Sequence, residues 1–148
     1  MQLLFQILAV AGSAMFAGVM LAIGVILGGY WEALAPADFL DWFAQHSEHV
    51  MRAIPLVVIP TAVGLVGALC YDWKVPAARG LWPAAGACVI VVLGLTMAYF
   101  VPSNAAFAKK AIASDQVPAK LDTWLLLHNV RIAFALAASV LGIVAVNL

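Results

Sequence analysis

Charge is what this chain has least of. Only 9% of its 148 residues are Asp, Glu, Lys or Arg, against about 25% in an ordinary soluble domain. So few charges cannot clothe a water-facing surface, which excludes a soluble enzyme and a disordered tail. Seven basic residues balance seven acidic ones, so no net field gathers a polyanion and nucleic acid is not an expected partner. Cysteine is scarce as well. Cys70 and Cys88 stand singly in apolar runs, with no Cys-x-x-Cys pair. That argues against thiol–disulfide exchange and leaves both as small packing residues.

What the chain has in abundance is hydrocarbon: 66% of its residues are hydrophobic and its mean hydropathy is +1.09. A bilayer core needs about 20 apolar residues in helical form. Four stretches qualify, at about 3–29, 53–71, 81–101 and 123–146. Every amide in lipid must be paired internally, so these read as helices. The expectation is an all-α membrane protein: a single four-helix transmembrane bundle over residues 1–148. An additional helical segment, starting at Pro36, lies in the first long loop. No Lys or Arg precedes the first span, so it is expected to be retained rather than removed as a signal peptide.

Four crossings put both termini on one side, together with the short loop at 71–80. The longer connections, 30–52 and 102–122, then share the other side. That side carries Arg52, Lys109, Lys110, Lys120 and Arg131, against Lys74 and Arg79 opposite, which leans the long loops toward the cytoplasm. Small residues predict close helix approach at Gly24 and Gly28, at Gly64 and Gly67, and at Gly94 with Ala98. Trp31, Trp73 and Trp82 fall at expected span ends and read as interface anchors.

The informative residues of such a protein are the polar ones that its spans tolerate. Asp122 is expected to cap the fourth span, Pro118 having ended what precedes it. Trp124, His128 and Arg131 follow at i, i+4 and i+7, on one helix face. Arg131 lies about two turns inside, where a cation needs a partner or a wet cavity. Trp42, His46 and His49 repeat the same spacing ahead of the second span. The even number of crossings places all three histidines, Arg131, Glu32, Glu48 and Asn104 toward one membrane face. A cavity walled by spans two and four would let them converge.

Two chemistries fit such a convergence. A neutral imidazole can move a proton near neutral pH beside a guanidinium or amide that stabilises an oxyanion. Alternatively, His46, His49 and His128 can ligate haem iron or copper. The first span holds no acidic residue and no span carries Asp or Glu at mid-membrane, which argues against a proton-coupled exporter. A non-enzymatic accessory subunit, alone or as a homo-oligomer, is the reading from a different class.

The run Tyr99-Phe100-Val101-Pro102-Ser103-Asn104, a loop of small residues, and then Trp124-x-x-x-His128-x-x-Arg131 resembles the anthrone oxygenase-like family of small four-helix membrane proteins. The resemblance covers chiefly residues 99–147. It implies an oxidoreductase that uses O2 to oxidise a hydrophobic tricyclic aromatic, an anthrone, to an anthraquinone. It also implies Asn104, Trp124, His128 and Arg131 as the catalytic candidates. On that pattern His128 takes a proton from the acidic C–H of the anthrone, Arg131 or Asn104 steadies the oxyanion, and Trp124 forms an aromatic wall. The electron-rich anion can react with O2 without a cofactor, and a haem- or copper-dependent reaction stays open beside it. The family pattern assigns no role to His46 and His49.

Overall fold

The computed structural model describes all 148 residues. It contains four helices and no strand: α1 (Gln2–Glu32), α2 (Pro36–Asp72), α3 (Leu81–Ala108) and α4 (Ser114–Val146). All four are long and apolar enough to cross a membrane, which makes this an all-helical integral membrane protein. Helices adjacent in the chain pack side by side, and α4 closes against α1. Short connections between antiparallel helices dictate this up-down-up-down arrangement.

The helices overrun the hydrophobic spans at one end. α2 has 37 residues, about 55 Å at 1.5 Å per residue, against a hydrocarbon core of roughly 30 Å. The helical segment expected in the first long loop is therefore the beginning of α2 itself, continuous with the second span. Pro36 sits in its first turn with Asp38 beside it, where the missing N–H costs nothing and a carboxylate suits the helix dipole. α3 likewise continues past Pro102, and α4 opens with a 3-10 turn at Ser114–Gln116. Pro118 thus sits in the first α-helical turn of α4 instead of ending an earlier element. Asp122 is an exposed residue within the helix, not its cap.

Two π-helical turns interrupt the rods, Ile23–Leu27 in α1 and Thr96–Phe100 in α3. Such widened turns cluster at functional sites. Beyond them the helix extensions form an aromatic cap. The Phe107 ring lies 5.0 Å from Phe39 and 5.4 Å from Phe43. Trp31 packs edge-on to Phe39 beside them. Lys110, in the turn between α3 and α4, pairs with Asp41 of α2 and ties that turn to the cap.

Glycines set the helix spacing. A Cβ on Gly64 would overlap the backbone of Ala9, so α1 and α2 cross backbone to backbone. Gly94 and Ala98 do not act this way. Both are exposed, and nothing stands near the place a Gly94 side chain would occupy. That small-residue step lies on the outer surface of the bundle, not at a helix contact.

At the opposite end a polar clip joins three helices. The Asp72 carboxylate, 2% exposed, accepts hydrogen bonds from Gln2 Nε2 (2.7 Å), Gln6 Nε2 (2.9 Å) and Trp82 Nε1 (2.8 Å). Trp82 is therefore a buried donor, not an interface anchor; the carboxylate at the end of α2 draws its N–H inward. Asp72→Ala leaves these donors unpaired and is expected to cost about 1–3 kcal/mol, read as a lower midpoint of unfolding in sodium dodecyl sulfate. Asp72→Asn should retain part of that stability. Equal midpoints for wild type and Asp72→Ala would show that the clip does not stabilise the bundle.

Candidate functional site

α4 carries the centre of the site. His128 is fully buried and Arg131 is 6% exposed. One turn apart on the same face, they meet: Arg131 Nη2 lies 2.6 Å from His128 Nδ1. A guanidinium can only donate, so Nδ1 accepts and Nε2 carries the imidazole proton. Nε2 donates to the Met20 carbonyl of α1 at 2.8 Å. Gly24 makes this approach close, since a Cβ there would stand 3.0 Å from His128 Cδ2. Both ring nitrogens are thereby engaged.

Arg131 is held from several sides. Its Nη1 donates to Thr96 Oγ1 at 3.0 Å, and that hydroxyl donates onward to the Val92 carbonyl at 2.7 Å. Its guanidinium carbon lies 3.3 Å from the Phe100 ring centroid, a cation–π stack. Thr96 and Phe100 are the first and last residues of the π-helical turn in α3, so the widened turn supplies both contacts. No carboxylate joins them. The two ion pairs of the molecule, Glu48–Arg52 and Asp41–Lys110, are both exposed. Arg131 Nε is buried with no partner at all.

Trp124 and Asn104 complete the group. The Trp124 indole stacks on the His128 ring, 4.8 Å between centroids at an interplanar angle of 12°. Its Nε1 donates to Asn104 Oδ1 at 2.9 Å, which leaves the Asn104 NH2 as a donor. The four residues singled out by sequence are therefore in one connected cluster. Asn104 lies within α3, two residues into the stretch that follows Pro102, and does not terminate the helix.

A cavity of about 70 Å³ adjoins this cluster, room for a few water molecules. Most of its wall comes from α2 and α3, with smaller shares from α1 and α4. The expected walls, spans two and four, are diagonal partners in the bundle and do not enclose it alone. Arg131, Trp124, Asn104 and Thr96 line it, as does Ser47; the rest is apolar and no carboxylate faces it. His128 does not line it but stands behind Arg131. The lining residues Leu93 (36% exposed), Met51 (43%) and Val101 (44%) reach the outer surface. The cavity thus meets the hydrocarbon side along the seam between α2 and α3.

The three histidines do not converge. Ser47, Val50, Ile54 and Val58 of α2 face the cavity at helical spacing. That register turns His46 and His49 outward, and both are exposed. His46 stacks on Trp42 at 5.1 Å, with Nδ1 2.9 Å from the Trp42 carbonyl. No three His, Cys, Asp or Glu side chains come together as a metal-binding group. The expected copper or haem site built from His46, His49 and His128 is therefore not formed by these residues, and His128 has no free nitrogen to offer it. The repeated Trp-x-x-x-His spacing nonetheless has a shared geometry. In both copies the indole stacks on the imidazole four residues later.

Sequence reasoning missed three participants. Thr96 and Phe100 look like ordinary span residues, and only the packing of α3 against α4 brings them to Arg131. Trp31, read as an interface anchor, is 3% exposed and lines the cavity. α1 runs on to Glu32 and tucks its end under Phe39, Trp42 and Phe43, which removes Trp31 from the membrane interface. Met20 takes part only through its backbone carbonyl, which no side-chain pattern reports.

Residues 39–141 match the family model described as anthrone oxygenase. The matched stretch holds Asn104, Trp124, His128 and Arg131 and leaves out α1 altogether. No curated protein and no solved structure matches the chain.

Proposed function

Because the chain belongs to the anthrone oxygenase family, we propose that it is a membrane oxygenase that oxidises a flat, hydrophobic aromatic ketone of the anthrone type with O2. The observation that carries this reading is Arg131: a cation buried at the wall of an apolar cavity with no carboxylate beside it. A buried charge without a counter-charge is costly in lipid. An anionic ligand supplies the missing partner. The enolate of an anthrone is such an anion, planar and apolar except at its oxygen.

In this reading Arg131 and the Asn104 amide bind the developing oxyanion and favour the ionised form of the substrate. Trp124 and Phe100 form the walls against the rings. The expected role of His128 as base changes, because its Nδ1 lone pair already accepts from Arg131. Its part is to orient the guanidinium, and the substrate proton leaves to water. The electron-rich carbon opposite the oxyanion then adds O2, and the peroxide anion so formed takes a proton back from water. Loss of water from the resulting hydroperoxide gives the quinone, so one anthrone and one O2 become one anthraquinone and one H2O.

The cavity is smaller than usual ligand pockets of roughly 300–1,000 Å³, so a tricyclic guest must part its walls. Met20 and Met51, both lining it, are the adaptable side chains for that. A substrate dissolved in the bilayer reaches the site through the seam between α2 and α3. The excess of Lys and Arg on the long-loop side supports a site toward the cytoplasmic leaflet.

The test is direct. Purified protein in detergent should consume O2 and form anthraquinone from anthrone in a one-to-one ratio, well above the spontaneous rate. A rate no higher than that of detergent alone would remove this reading.

A further inference from the structure

The Trp31 indole N–H has no hydrogen-bond partner although the residue is 97% buried, being 3% exposed. A buried indole N–H nearly always finds an acceptor, so an unpaired one at a cavity wall calls for an explanation. Its surroundings offer none from the protein. The rings of Phe39, Trp42, Phe43 and Trp124 enclose it, at centroid distances of 5.3–6.0 Å. The cavity that Trp31 lines is itself rich in donors and poor in acceptors. Arg131 Nε is buried and unpaired, the Asn104 NH2 is left over, and the Thr96 hydroxyl is already engaged.

We propose that Trp31 is a substrate-binding residue whose Nε1–H donates to an oxygen borne on the aromatic ring system, distinct from the oxygen held at Arg131. The ligand is then a polycyclic aromatic oxygenated in at least two places, with Trp124 next to both donors. The Trp124 ring lies 5.4 Å from Trp31 and 5.8 Å from the Arg131 guanidinium carbon. Trp31 lies outside the stretch matched to the family, 39–141, so the match itself assigns it no role. The inference rests on the reading that the cavity is the substrate site, but not on turnover.

The experiment is binding without chemistry. Anthracene, anthraquinone and the 1-hydroxy and 2-hydroxy derivatives of anthraquinone are titrated into the full chain in detergent. The five indole N–H resonances, one for each Trp, are followed by nuclear magnetic resonance. At least one oxygenated probe is expected to move the Trp31 resonance downfield, while anthracene leaves it unshifted in that direction. Trp31→Phe should weaken that probe by roughly 5–10-fold, the worth of one neutral hydrogen bond, and leave anthracene within about twofold. Should that variant fail to fold, the other four Trp→Phe variants assign the Trp31 resonance in otherwise intact protein.

A Trp31 signal that stays in place while the Trp124 signal saturates would overturn the proposal, since the N–H would then be satisfied by a ring face. Equal weakening of every probe in Trp31→Phe would overturn it too, as would no binding of any probe. Binding through Trp31 without anthrone oxidation would remove the oxygenase reading alone. Unchanged KM for a hydroxylated anthrone in Trp31→Phe would remove Trp31 alone.

Discussion

Arg131→Met is expected to lower the oxidation rate about 100- to 1,000-fold, the usual effect of deleting one oxyanion donor, while leaving the bundle as stable as before. The two halves of that expectation come from the same geometry. Removing one member of a buried ion pair strands the other charge and destabilises strongly, but Arg131 has no acidic partner to strand. What it leaves behind is the Nδ1 lone pair of His128, a cost offset by removing a buried charge that has no counter-charge, while the Thr96 hydroxyl keeps its bond to the Val92 carbonyl. The unbranched methionine fills the stem's volume against Phe100. A purely structural Arg131 would give the reverse outcome: a lower unfolding midpoint with near-normal turnover per folded molecule. Arg131→Lys should recover only a minor part of the rate. One ammonium cannot reach His128 and Thr96 together and also lie flat on an aromatic ring. Oxygen uptake and the detergent unfolding midpoint, measured on the same preparations, separate these cases.

The parts of this architecture that were legible in the sequence are those governed by periodicity. Four apolar runs of spanning length fix four helices. The i, i+4, i+7 spacing puts Trp124, His128 and Arg131 on one face of α4, and the structure joins all three to Asn104. Less legible was anything set by the register of one helix against another. His46 and His49 share the spacing of the productive motif, yet α2 is rotated so that Ser47, Val50 and Ile54 take the cavity side. Local spacing says which residues stand together but not which way their face turns.

Helix ends were misjudged for a related reason. Pro36 opens a helix as expected, but Pro102 and Pro118 read as stops, and a proline at a helix start or after a widened turn loses no hydrogen bond that the helix needs. The polar ends of α2, α3 and α4 therefore continue as helix beyond the hydrocarbon. There they build the cap that encloses Trp31. The Asp72 clip was hidden in the same way. An acidic residue at a span end looks solvated until the partner helices bring in Gln2, Gln6 and Trp82.

His128 distinguishes two mechanisms that the residue list alone treats as one. If it is the base, any side chain that cannot take up a proton abolishes catalysis, and glutamine is as damaging as phenylalanine. If it orients Arg131, glutamine is a partial substitute. Its amide offers one donor for the Met20 carbonyl and one acceptor for the guanidinium, as the neutral imidazole does here. Phenylalanine keeps the stack on Trp124 but offers neither. The expected result is a loss of about 100-fold for His128→Phe and about tenfold or less for His128→Gln, of the size that one to two misplaced hydrogen bonds to a charged group produce. Rates measured across pH give a second criterion. A positioning residue lowers the whole profile and preserves its shape, whereas removal of a base erases the limb on which that base ionises. Equal inactivity of both variants, with that limb gone, would return the proton-transfer role to His128 and require Arg131 to swing off Nδ1 before each turnover.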